Sequence, residues 1–224
     1  MPPLSRLAAL GLIALSATAC GGSHESPPSG TPSSSSPAKN YDISRVESVK
    51  EDVPAGFKTA PGPPTTLTQD DIDNARVIPF TKATYDPPQC RALVIPPYVD
   101  PTVGAQAAIL EAEGDSGEFF VVAMRLPHPV PIAPPPAGCG HVTMSGSDES
   151  TGTAEPVPAP QIAGVTTTGL KLKPATDNTP GGYVFTAALD GQTSIAVMGG
   201  ADAKLHPQQF LSDLLVKATA AVRG

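Results

Sequence analysis

The chain has 224 residues, a formal net charge of −7, 28 prolines, 21 glycines and no tryptophan. The acidic balance argues against nucleic-acid binding, which needs clustered Lys and Arg opposite phosphates. With only 4% aromatic residues, any core must be built from Val, Ile, Leu and Ala, and the length favours a single folded domain.

Residues 1–19 read as a signal peptide. Arg6 supplies the positive charge, and Leu7 to Leu15 is an apolar run too short to cross a bilayer permanently. Small residues Ser16, Ala17, Thr18 and Ala19 precede Cys20. This pattern resembles the bacterial lipobox, although Ala17 stands where the lipobox usually has Leu. The resemblance implies that Cys20 is lipidated and becomes the first mature residue. Residues 20–40 would then be the lipidated Cys and a disordered Gly/Ser/Pro spacer, too polar to bury a core. An exported chain held by lipid at Cys20 would sit on the outer face of the cell membrane.

The folded part is expected over 41–224. Ile43, Val46 and Val49 have roughly helical spacing, and Pro54 and Gly56 end that segment. Residues 60–66 read as a Pro-rich connection. Thr68 to Asp71 reads as a capping box opening a short helix that reaches Arg76. Pro87 and Pro88 open a second short helix carrying Cys90, Leu93 and Val94. Gln106–Glu113 and Glu118–Leu126 flank a Gly-bounded turn and read as a hairpin, although the first run also contains good helix formers. Residues 127–138 form a proline-dense loop. Strands are expected at Cys139–Ser145, Thr151–Val157 and Thr166–Leu172.

The strongest local signal is Asp190-Gly191 between two apolar runs, which predicts a two-residue type I′ hairpin. That turn would place Val184, Thr186 and Ala188 on one face with Thr193, Ile195 and Val197. Both faces carry apolar residues, so the hairpin should be central and covered on both sides. Pro207–Val222 predicts an amphipathic helix with Phe210, Leu211, Leu214, Leu215, Ala218 and Val222 on one stripe.

Cysteine arithmetic follows from Cys20. With that residue assigned to lipid, Cys90 and Cys139 remain. In an exported protein an even pair most simply forms a disulfide, with a metal site or a catalytic thiol as the competing readings. Zinc would need further Cys or His ligands, and no CxxC or HxxxH spacing occurs, although His141 lies close to Cys139.

The segments YDPPQC (85–90), CGHVTM (139–144), GVTTTGL (164–170), GYVFTAALDGQTSIAVMG (182–199) and FLSDLLVKATAAVR (210–223) together resemble a set of mycobacterial envelope lipoproteins of unknown function. More distantly, they are similar to the extracellular sensor domain of the serine/threonine kinase PknH. The resemblance implies an α+β domain: a twisted, mainly antiparallel sheet with a C-terminal amphipathic helix and short N-terminal helices packed on it. It also implies a cleft for an unknown ligand. The sensor domain has two disulfides, whereas this chain has cysteines for one.

No catalytic constellation stands out. There is no G-x-S-x-G elbow. Ser145 reads as a turn or strand-end residue, His141 as structural and His206 as a capping or solvated residue. Asp70, Asp71 and Asp73 suit a helix N-terminus better than a calcium loop. Glu111 and Glu113 read as a solvated edge. The expected function is a non-catalytic ligand-binding or sensory domain, with no cofactor and no metal. Its ligand would be a small hydrophobic molecule or glycolipid, held in a pocket of Val, Ile, Phe and Tyr. The alternatives are an envelope scaffold that binds other proteins, or a cryptic hydrolase.

Overall fold

The computed structural model describes residues 39–74, 79–146, 151–175 and 181–224. Residues 1–38 lie outside this set, and with them the signal peptide, Cys20 and almost all of the spacer. Arg76 also lies outside it.

Among the described residues, nine strands form one antiparallel sheet. They are β1 (Phe57–Thr66), β2 (Thr84–Asp86), β3 (Gln106–Gly114), β4 (Gly117–Arg125), β5 (Val142–Ser145), β6 (Gly152–Pro156), β7 (Thr166–Pro174), β8 (Gly182–Ala188) and β9 (Thr193–Ala201). Their spatial order is β1-β3-β4-β9-β8-β7-β6-β5-β2. The helices are α1 (Gln69–Asn74), α2 (Arg91–Val94) and α3 (Pro207–Arg223). This is the α+β architecture expected from the sequence.

Alternation along the strands sends apolar side chains to both faces, and each face has its own core. On the first, α3 and a 3-10 helix at Ile43–Asp52 cover Leu110, Phe119, Val121, Phe185, Ala187, Ile195 and Val197. The α3 stripe buries Leu211, Leu214, Leu215, Ala218 and Val222, as its spacing predicts. In the 3-10 helix, residues three apart eclipse one another, so Ile43, Val46 and Val49 form one buried ridge. On the second face, α2 and irregular segments around residues 95–105 and 126–140 cover Met124, Val142, Met144, Leu170, Leu172 and Ala196.

The chain crosses the sheet more than once: β1 and β2 are opposite edges, β2 leads back to β3 beside β1, and a third crossing follows β4. After β4 it passes from the β8–β9 turn, where the Val130 N–H donates to the Gly191 carbonyl at 2.7 Å, to β5 on the far side of β6. That is three to four strand spacings, or ~14–19 Å. Residues 131–139 in a polyproline conformation reach ~28 Å, whereas a helix of the same residues would reach only ~14 Å. The prolines of this segment keep the strap extended. Cys139, at its end, is bonded to Cys90 at the head of α2, with Sγ atoms 1.98 Å apart. Both cysteines are buried in the second core.

Two local expectations need correction. First, residues 60–66 are not a connection but part of β1, with a register shift between Gly62 and Thr65. Pro61, Pro63 and Pro64 are tolerated because β1 is an edge strand whose outer side needs no ladder donors. Second, the 190–191 hairpin has a three-residue loop rather than a two-residue one. Ala188 pairs with Ser194, and the Leu189 N–H donates to the Thr193 carbonyl. Neither Asp190 nor Gly191 has the positive φ that a type I′ turn needs. Instead the Asp190 carboxylate accepts from the N–H groups of Gln192 (2.8 Å) and Thr193 (2.6 Å), an Asx turn. One extra loop residue moves β9 by one register position. Phe185 and Ala187 therefore share a face with Ile195 and Val197, while Val184, Thr186 and Ala188 share theirs with Ser194, Ala196 and Met198. The run at 106–113, whose composition also suits a helix, is strand as the hairpin reading expects, and pairs with β4 through a tight Asp115-Ser116 loop.

The expectation at Thr68 holds. The capping box forms: Thr68 Oγ1 accepts from the Asp71 N–H, and the Asp71 carboxylate accepts from the Thr68 N–H at 2.8 Å. The Thr68 hydroxyl, which also donates to that carboxylate at 2.7 Å, and the Thr68 N–H hold the Asp71 carboxyl below its ordinary range.

Candidate binding groove

A concavity among the described residues lies at the open end of the β8–β9 hairpin, on the α3 face. It encloses about 620 Å³ and is lined by Lys171, Gly182, Tyr183, Ala201, His206 and Gln208, together with neighbouring backbone. Each side chain has a structural reason to be there. Lys171 on β7 stands directly across from Tyr183 on β8. The Tyr183 ring stacks on Phe185 at 6.3 Å between centroids, which anchors it to the first core. Gly199 makes this end of the sheet possible. Its φ is 145°, and a Cβ there would fall 2.3 Å from the Glu118 carbonyl oxygen. Only glycine lets β9 lie this close to β4.

The third wall is the start of α3. Between β9 and α3, Asp202 caps a 3-10 turn by accepting from the Lys204 N–H at 2.9 Å. His206 then adopts the left-handed conformation, φ 49°, and Pro207 begins the helix. His206 is the N-cap residue, yet no side chain caps this helix by a hydrogen bond. The first-turn N–H groups carry the partial positive end of a 17-residue helix, and Lys171 lines the same groove. The groove thus offers a cationic group, an aromatic ring, an imidazole, amide side chains and unspent backbone donors. Its lining contains no Ser, Thr, Cys, Asp or Glu. It is suited to holding a polar or anionic group.

A second, smaller groove of about 350 Å³ lies on the opposite face, between Pro97, Val103, Leu126, His128 and Val130. The expected pocket of Val, Ile, Phe and Tyr is found in neither place, because those side chains fill the two cores.

The residues singled out from sequence are scattered. His141 Nδ1 lies 3.0 Å from Glu155 Oε1, and both side chains are more than half exposed. Ser145 ends β5, and its carbonyl accepts from the Thr84 hydroxyl. Asp73 pairs with Lys82 at 3.3 Å. No group of three metal-ligating side chains occurs among the described residues. Of the groove residues, sequence reading noted only His206, as a helix-start residue. Lys171 and Tyr183 carry no local motif, and only their cross-strand pairing brings them together.

One polar cluster was not anticipated. Beneath the second core, the Tyr98 hydroxyl lies 3.1 Å from Thr186 Oγ1, which is 2.6 Å from Thr168 Oγ1. Ser194 Oγ donates to the Tyr98 carbonyl at 2.5 Å. This network ties residues 95–100 to the centre of the sheet. Burial pushes the Tyr98 phenol above its ordinary range, against the opposing effect of its hydrogen bonds. Tyr85 is pushed up to about 12, mainly by burial, with Arg91 opposing and Asp100 reinforcing the shift.

A family profile described as "Domain of unknown function (DUF5642)" matches residues 42–223, nearly the whole described region. The chain belongs to this family. No curated protein matches it. Among solved structures, the chain is similar to an uncharacterised protein from Mycobacterium smegmatis, the Rv0999 ortholog. Identity is 24%, the TM-score is 0.63, and the match covers 83% of this chain and 98% of that one. That likeness supports the fold. The extracellular domain of PknH from Mycobacterium tuberculosis also aligns, with 12% identity and a TM-score of 0.40, over 80% of this chain and 92% of that one. No helix among the described residues is long and apolar enough to cross a membrane.

Proposed function

We propose that this chain is an exported lipoprotein, anchored through Cys20 to the outer face of the cell membrane. Its domain, in this reading, is a non-catalytic binding or sensory module for the headgroup of an envelope glycolipid. The observation that carries the reading is the groove at the start of α3. Lys171 and the uncapped helix N-terminus favour an anionic group, and the Tyr183 ring offers a face on which a sugar can lie. The Cys90–Cys139 bond suits an oxidising compartment, where such bonds persist.

The test is a thermal-shift titration of the full chain with glycolipid fractions from its own envelope, dispersed in detergent. A headgroup ligand at a hundredfold excess over Kd stabilises by about 2.7 kcal/mol, which raises Tm by roughly 5 °C or more. Lys171→Ala and Tyr183→Ala should each shrink the shift measured from the variant's own unliganded Tm, which Lys171→Ala leaves within about 1 °C. The reading fails if no fraction moves Tm, or if both variants respond like the parent. Intact mass of the purified chain reports separately on lipid at Cys20.

A further inference from the structure

The proline strap does more than span the sheet. Every residue from His128 to Pro136 is a proline or immediately precedes one, except Ile132. Proline fixes its own φ near −65° and drives the preceding residue out of the helical region, so the segment is held in an extended, polyproline-type path. Both ends are pinned. Val130 is bonded to Gly191 (2.7 Å), Gln192 Nε2 donates to the Leu126 carbonyl (3.2 Å), and Cys139 is tied to Cys90. Between these pins, among the described residues, no hydrogen bond involves residues 131–136, so their carbonyls remain open acceptors. The span needs less than the available length, and the strap's outer side stands exposed. Ile132 is one of only three large apolar side chains exposed among the described residues.

A polyproline helix has three residues per turn, so residues three apart share a ridge. Pro131 and Pro134 fall on one ridge, and Ile132 and Pro135 on the next. Pro131-Ile132-Ala133-Pro134 is a PxxP segment whose ordering entropy is already lowered by the fixed φ of its prolines and the restriction on the residues before them. Such ridges are read by shallow grooves lined with Tyr and Trp. Residues 127–138 contain no Asp, Glu, Lys or Arg, so the matching groove is aromatic rather than charged. A second copy of this chain cannot supply it. The chain has no Trp, and every described Tyr and Phe is buried or half-buried.

We propose that residues 129–136 form a preorganised docking ridge for a different protein that presents an aromatic-lined groove. The ridge lies on the strap side of the sheet, away from the headgroup groove, so the two sites are independent.

The probes are recombinant SH3, WW and profilin-type polyproline readers, titrated onto the immobilised full chain. At least one should bind saturably. The affinity should fall at least about tenfold, ~1.4 kcal/mol, in Pro131→Ala/Pro134→Ala and in Ile132→Asp. Ile132 is exposed, so Ile132→Asp keeps the fold even if the double variant does not. The proposal is overturned if no reader binds, or if Ile132→Asp binds like the parent. It is also overturned if sedimentation shows the parent self-associating and Ile132→Asp monomeric, because the ridge would then serve a second copy.

Discussion

Removing the bond between Cys90 and Cys139 should cost this domain a large share of its stability. The perturbation is the Cys90→Ala/Cys139→Ala double variant. The two residues are 49 apart, and in the chain-entropy model closing such a loop removes ~14 cal/mol/K from the unfolded state, or ~4 kcal/mol at 25 °C. Both cysteines are buried beneath the strap, at 0% and 4% exposure, so truncation also leaves unfilled space, which adds in the same direction. A domain of ordinary stability, about 5–15 kcal/mol, would lose a quarter or more of it. The assay is urea unfolding followed by far-ultraviolet circular dichroism. With m of about 2 kcal/mol/M, the midpoint should fall by about 2 M, and m itself should rise because the unfolded chain expands. A midpoint shift below about 0.5 M would refute the reasoning. It would mean that the strap holds α2 in place without the bond, or that the unfolded chain is already constrained there.

Two further predictions concern the cores. Phe119 is fully buried between Phe57 (5.2 Å) and Phe210 (5.1 Å), so Phe119→Ala should destabilise by about 3–5 kcal/mol, read in the same urea assay. Less than about 1 kcal/mol would mean that the first core refills the space. The second concerns alkaline pH. Tyr85 and Tyr98 hold their protons above the unfolded tyrosine value of about 10, so their contribution is fully present below pH ~10 and is lost as pH rises further. Each should lower stability by at most about 1.4 kcal/mol per pH unit in that range. Unfolding midpoints measured between about pH 9 and about pH 11 check this, and Tyr85→Phe should flatten the fall. A parent and variant with identical alkaline slopes would contradict the assignment.

Much of the fold was legible because its signals are local. The α3 stripe, the Thr68 capping box and the Gly-bounded β3–β4 hairpin each depend on residues within a few positions of one another. What was missed depends on distant parts. The edge position of β1 permits its prolines, and nothing in residues 57–66 announces that edge. The Asp190 turn turned on a side chain competing for two backbone N–H groups, which moved the register by one. The groove was the least legible feature. Lys171, Tyr183 and His206 come from three elements, and no spacing rule connects them.

The two ends of the sheet have a further consequence. At one end, β1 presents prolines that lack N–H donors; at the other, β2 is only three residues long. An open nine-stranded sheet would otherwise offer two templates for strand addition. Copies crowded together at high local density therefore find no continuous ladder to extend at either edge.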